Sequence, residues 1–480
     1  MSLVKKVFKN ATYLLIARAL FRFLTALVMI YAARYLTKEE YGMYGTALAW
    51  SNVFLALNDL GMSTLIVREA ARDEKKMALY FGNTLVVEII LSIFFFFLTL
   101  IIGIGLHYDY TTLVLIAILS GAGLVFEFRK VARGAFRVIF EMKFVALMEI
   151  ANGALYFITT ILIISFIQNT NTGLLALAHT RLWVNVLVVV ILLLATLRYV
   201  KPKFSLSALW PMIKQSYVFT LYNMFFMLYF QVDQIIISIM QDAKAVGAYT
   251  APSNIVTFFL FIPLMIFQVT MPLMYRYSKD NLEQYKRINH ALWRYLCAFG
   301  IPAGVGIALL APQIMTLVYH NKYQSSSALL MVMGIFLSVR FLGISQGNSM
   351  TTTDRQGLRA TIQLLSVVLN IILDIILIKF YGILGAGIAT LITECVIDGT
   401  YLIYSARFLQ ESLGRNLLSI LPVGAATVGM GLAVFLAKPY LHVIVIILLG
   451  MMVYLFLLWL LRFFKPFDKN IMRQIILKNK

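Results

Sequence analysis

Fourteen runs of about 20 mostly apolar residues, separated by short polar gaps, constrain this chain more than any single motif does. Their limits are 11–34, 43–64, 80–104, 111–130, 144–167, 174–198, 215–240, 247–273, 291–313, 326–348, 358–379, 383–406, 418–437 and 441–463. A helical run of that length matches the hydrocarbon thickness of a bilayer. With 61% hydrophobic and 13% charged residues and a mean hydropathy of +0.86, a water-soluble chain of 480 residues has nowhere to bury so much apolar surface. The sequence therefore predicts an all-α polytopic membrane protein with about fourteen transmembrane helices.

Lys5, Lys6 and Lys9 ahead of the first run imitate a secretory signal. The run is too long for one and is interrupted by arginines, so it reads as a retained first span. Cys297 and Cys395 both fall in apolar runs and build no metal cluster.

Loop charge sets the topology. Of the 41 Lys and Arg residues, 31 lie in alternate gaps beginning with the N terminus, among them Arg129, Lys130, Arg133, Arg137 and Lys143. The opposite gaps hold five: Lys38, Lys244, Lys322, Lys379 and Lys438. By the positive-inside rule both termini face the cytoplasm and the number of spans is even. The net charge of +20 is then a cytoplasmic collar among the membrane lipids, with no need of nucleic acid. The outer gaps are too short for an extramembrane catalytic domain, and the inner gaps at 199–214 and 275–290 read as amphipathic connectors.

A short internal repeat links YLTKEEYGMYGTA (35–47) to IMQDAKAVGAYTA (239–251). It aligns Gly42-x-Tyr44 with Gly247-x-Tyr249 and divides the chain into a six-helix bundle at 1–200, a second at 201–410, and two further helices with a basic tail at 411–480. Even halves have equal orientation, so their pseudo-symmetry axis runs along the membrane normal, with a working site between them.

Charges inside the spans are the candidate functional groups. Arg18 and Arg22 sit four apart in the first run, on one helical face, roughly 10 and 16 Å from its start. An arginine at the centre of a span costs roughly 2.5–3.5 kcal/mol and rarely faces lipid. Snorkelling accounts for Arg18 but hardly for Arg22. Arg181 and Arg340 add two more cations. Carboxylates within runs include Asp59, Glu88, Glu149, Asp233, Asp374, Glu394 and Asp398. Glu88 and Glu149 stand near cytoplasmic ends and read as solvated terminal charges, and Asp59 reads as a partner of Arg68 or a cap. Asp233, Asp374 and Glu394 are deeper. Each is either an ion-pair partner for an arginine or a relay for H⁺ or Na⁺. No Walker, HExxH, GxSxG or CxxC pattern is present, no catalytic set stands out, and no cofactor is expected.

NDLGMSTLIVREAAR (58–72), LTKEEYGMYG (36–45) and VDQIIISIMQDAKAVGAYTAPSNI (232–255) resemble the corresponding motifs of Wzx-type polysaccharide flippases, members of the multidrug/oligosaccharidyl-lipid/polysaccharide (MOP) exporter superfamily. The resemblance implies a MATE-like fold of two six-helix bundles around a V-shaped central cavity, and transport by alternating access. It implies a polyprenyl-diphosphate-linked oligosaccharide as substrate. Fourteen spans are also similar to the lipid II flippases of the MurJ type, whose last two helices shape a groove toward lipid, although the rest of that pattern is missing.

Arginine suits such a substrate, because it stays charged in a dry cavity and offers a planar fork to a diphosphate. Arg18, Arg22 and Arg340, with Arg181, are accordingly expected to converge on the diphosphate, and Asp233, Asp374 and Glu394 to serve any ion coupling. The chain is expected to work as a monomer. A MATE-like exporter of small cations would want carboxylates facing its cavity, and a membrane polysaccharide polymerase or ligase would show a large outer loop.

Overall fold

The computed structural model describes residues 3–464 apart from 59, 71, 72, 74, 75, 140 and 411, so Asp59 and the basic tail lie outside the described residues. Two compact units divide the chain, Met1–Thr250 and Ala251–Lys480. The first holds α1 (Leu3–Tyr35), α2 (Lys38–Asn58), α3 (Met62–Ala70), α4 (Met77–Gly105), α5 (Tyr110–Val138), α6 (Met142–Phe166), α7 (Thr170–Leu197) and α8 (Leu206–Met240). The unit boundary falls inside α9 (Ala243–Phe259). The second unit continues with α10 (Phe261–Asp280), α11 (Leu282–Leu309), α12 (Ala311–Tyr319), α13 (Ser327–Thr352), α14 (Gln356–Tyr381), α15 (Ile383–Leu409), α16 (Leu413–Ser419), α17 (Leu421–Ala437) and α18 (Val443–Leu460). No strand occurs among the described residues.

Every one of the fourteen apolar runs falls on helix. Among the described residues, twelve segments are long and apolar enough to cross a membrane. The other two runs are α2, which starts on Lys38, Glu39 and Glu40, and α17, which has 17 residues. The departures from the expected limits have local causes. The second run breaks between α2 and α3, where Leu60 and Gly61 take φ of 45° and 73°. The eighth breaks at Leu260, just before Pro263, which has no N–H to continue the ladder. The fourth does not stop at 130; α5 runs on to Val138, because apolar and small residues separate Arg129, Arg133 and Arg137 at helical spacing. Asp109, Asn169 and Asn281 start α5, α7 and α11 by accepting from the backbone N–H three residues on.

The helices are polar inward and apolar outward, the arrangement lipid demands. On α4, Asn83, Thr84, Glu88 and Thr99 are buried while Ile90, Phe94, Phe97 and Ile101 are exposed. Where apolar side chains gain nothing from leaving lipid, helices associate through close backbone approach. In the first unit α1 packs on α6, α5 on α7, and α2 on both α5 and α8. In the second, α13 lies between α11 and α15, and α17 and α18 dock on α11. A Cβ on Gly304 of α11 would stand 2.3 Å from the Gly334 carbonyl oxygen of α13, so only glycine permits that crossing.

Candidate functional site

In the first unit three arginines gather around one buried carboxylate. Glu149, on the second turn of α6, is 1% exposed. Arg133 Nη2 stands 2.7 Å from its Oε1, Arg129 Nη1 3.6 Å from the same oxygen, and Arg18 Nε 3.8 Å from Oε2. Three helices meet here: α1 brings Arg18, α5 brings Arg129 and Arg133, and α6 brings Glu149. The three guanidinium groups and one carboxylate leave an excess of two positive charges. Arg129 is sandwiched by aromatic rings, 3.5 Å from the Phe126 centroid and 5.6 Å from that of Phe21, a cation–π setting that orients its plane.

Deeper along α1 the cations continue. Arg22, one turn beyond Arg18, lies within electrostatic reach of both Glu149 and Arg181. Arg181, on the fourth turn of α7, is hydrogen-bonded to the hydroxyls of Tyr44 (α2) and Tyr156 (α6). Those two hydroxyls are themselves 2.8 Å apart. Arg137, at the end of α5, is the outlying member, in reach of Arg133 and Glu149. Arg137, Arg133, Arg18, Arg22 and Arg181 thus form a series of neighbouring cations through the first unit, with Glu149 as their nearest anion. Such a series gives an anionic group successive places of similar chemistry, each charge-assisted and directional.

The structure brings Arg18, Arg22 and Arg181 together in the first unit and sets Arg340 in the second. Arg340, on α13, donates from Nη1 to Glu394 Oε1 of α15 at 2.5 Å, with both groups buried. Asp374 is fully buried on α14. Asp233, buried on α8, accepts a hydrogen bond from the Tyr249 hydroxyl of α9.

Sequence reasoning missed Arg129 and Arg133 as site residues, counting them as loop charge, and it discounted Glu149 as a solvated helix end. The missed signal was the i, i+4, i+8 spacing of Arg129, Arg133 and Arg137, which puts all three on one face of a helix. One face needs a partner, and Glu149, at the start of the next run, was a carboxylate within reach.

Helices with buried charge and a lipid-facing apolar surface define a multi-pass membrane protein, and its architecture is that of the MOP transporters. It matches a lipid II flippase MurJ in an inward closed conformation with a TM-score of 0.73, at 17% identity over 92% of this chain and 97% of that one. It matches an inward-facing multidrug resistance MATE family transporter of the MOP superfamily with a TM-score of 0.68, at 16% identity over 82% and 96%. At such identities these likenesses establish the fold. The family is established by sequence: the chain belongs to the polysaccharide biosynthesis protein family, which matches residues 7–278. It is also similar to the probable low-salt glycan biosynthesis flippase Agl15 of Haloferax volcanii, 26% identical over 233 residues. That match covers 47% of this chain and about half, 49%, of the relative.

Proposed function

We propose that this protein is a flippase that carries a polyprenyl-diphosphate-linked oligosaccharide from the cytoplasmic to the outer leaflet by alternating access, in cell-surface glycan synthesis. The observation that carries the reading is the series of neighbouring arginines in the first unit, which outnumber the carboxylates beside them, Glu149 and Glu127. A diphosphate is the group in such a lipid that needs cations, and it is the group that cannot cross hydrocarbon alone. Arg18, Arg22 and Arg181 hold it, and Arg340 acts from its pair with Glu394. The polyprenyl tail stays in lipid throughout. The same cationic surplus speaks against a MATE-like exporter of small cations. Both termini lie in the cytoplasm. Coupling to an H⁺ or Na⁺ gradient falls to the buried carboxylates Asp233, Asp374 and Glu394.

Export of the lipid-linked glycan by Arg22 variants tests this. Each charge-assisted contact is worth roughly 1.5–3 kcal/mol, so Arg22→Ala weakens head-group binding by about ten- to a hundredfold and stops export in protein that still inserts and purifies. Arg22→Lys keeps the charge without the fork and is partly active. Normal export by Arg22→Ala would move the substrate site elsewhere.

A further inference from the structure

We infer that Glu394 and Asp398 hold a single proton between them inside the second unit, and that this shared proton is the ion the transporter exchanges with the medium. The two acids stand one turn apart on α15, facing the same way, and both are buried, Asp398 at 2% exposure. Arg340 grips Glu394, which marks Glu394 as the ionised member.

Asp398 has no such grip. Among the described residues no donor meets either of its oxygens in hydrogen-bond geometry. Its Oδ1 lies so close to Gly343 of α13 that a Cβ there would stand 1.9 Å away. Besides the Gly343 backbone, the polar group beside it is the carboxyl of Glu394, one turn back on the same helix face. Two carboxylates repel at that range, whereas a carboxylic acid and a carboxylate bond through the proton they share.

The surrounding charges agree. On α13 the cation is Arg340, and α11 contributes the buried thiol of Cys297 within electrostatic reach of Asp398. On α14, Arg359 is engaged by Asn348 and Thr351, Lys379 stands in the last turn, and Asp374 is a further buried acid. One guanidinium against two acids is neutral only when one acid is protonated, and an uncompensated charge so deep would be strongly unfavourable. A metal cation is a poorer fit. It needs a shell of oxygens, and here the pair is enclosed by a guanidinium and the Gly343 backbone.

Release converts Asp398 from acid to carboxylate and delivers one proton to water, with no electron moved. The trio then carries one net negative charge, tolerable only where α13 and α15 admit water, so release is tied to a change in their packing. The coupling rests on the transporter reading above; the shared proton does not.

Infrared difference spectroscopy on the purified full-length protein at neutral pH tests the proton. Wild type shows the carbonyl stretch of a buried protonated carboxyl, shifted in D₂O and lost in Asp398→Asn. Glu394→Gln also loses it, because Arg340 then pairs with an ionised Asp398. This second variant carries the test if Asp398→Asn does not accumulate. A band that is absent from wild type, or unchanged in the variant measured, overturns the shared proton. So does thermal stabilisation by NaCl over choline chloride that vanishes with Asp398→Asn. In proteoliposomes bearing lipid-linked glycan, wild type responds to an imposed pH gradient and Asp398→Asn loses that response. A variant that keeps it overturns the coupling. A wild type that moves no glycan defeats the flippase reading, while the infrared band still decides whether the proton is shared.

Discussion

Gly42 and Gly247, the matched glycines of the internal repeat, stand back to back. A Cβ on Gly42 would fall 1.6 Å from the carbonyl oxygen of Ala243, and one on Gly247 would fall 2.1 Å from that of Lys38. The two copies of the repeat thus meet at the first turns of α2 and α9, and each copy's tyrosine secures a buried partner: Tyr44 bonds Tyr156, and Tyr249 bonds Asp233. Gly42→Ala drives a methyl into backbone and should cost at least the roughly 1–3 kcal/mol typical of overpacking. Gly306→Ala is the control, since a Cβ there meets nothing within 4 Å. Thermal unfolding should fall for the first variant and not for the second. Equal midpoints would mean that the α2–α9 contact is not maintained in the membrane.

Topology gives a second expectation. Reporter fusions after Lys38, Lys244 and Lys438, at the turns entering α2 and α9 and leaving α17, should all report an outer location. A cytoplasmic signal at any of the three would break the inward assignment of both termini.

The Tyr44–Tyr156–Arg181 arrangement gives a third. Tyr44→Phe removes one hydroxyl from Arg181 and from its partner tyrosine, a loss of about 0.5–1.5 kcal/mol. The double variant with Tyr156→Phe leaves Arg181 without either phenol and should lower export about tenfold, while each single variant keeps most of it. Export by the double variant at the wild-type rate, at equal protein level, would remove Arg181 from the substrate path.

Apolar run length and loop charge made the helices legible, because a bilayer punishes both a short span and a misplaced lysine. Arg18 and Arg22 were legible as a pair for the same reason: their cost in lipid is large and their spacing is that of one face. Arg129 and Arg133 were not, since a basic residue near a helix end looks alike whether it meets water or a buried glutamate. Which cation meets which anion depends on how α1, α5 and α6 pack, and run length carries no record of that. Arg340 shows the other side of this. Its depth was plain in the sequence, but its bond to Glu394 needed the α13–α15 crossing to be seen.

Glu149 carries the last prediction. Its carboxylate is the counter-ion that lets Arg18, Arg129 and Arg133 lie together with little access to water. Removing one partner of a buried ion pair costs about 3–5 kcal/mol, because the remaining charge is stranded. Glu149→Gln strands three, so the variant should be clearly less stable than wild type in buffer free of multivalent anions. If the cluster is a place for a diphosphate, an added anion should take over the part of the missing carboxylate. Inorganic diphosphate should therefore raise the thermal midpoint of Glu149→Gln more than that of wild type. Its effect should fade with salt, as screening shortens the reach of every charge involved. Arg133→Gln supplies the opposite arm: it relieves the surplus and should reduce the response to diphosphate in either background. A Glu149→Gln protein that diphosphate does not rescue would make this cluster a structural ion pair and leave Arg22 and Arg181 to hold the head group without it.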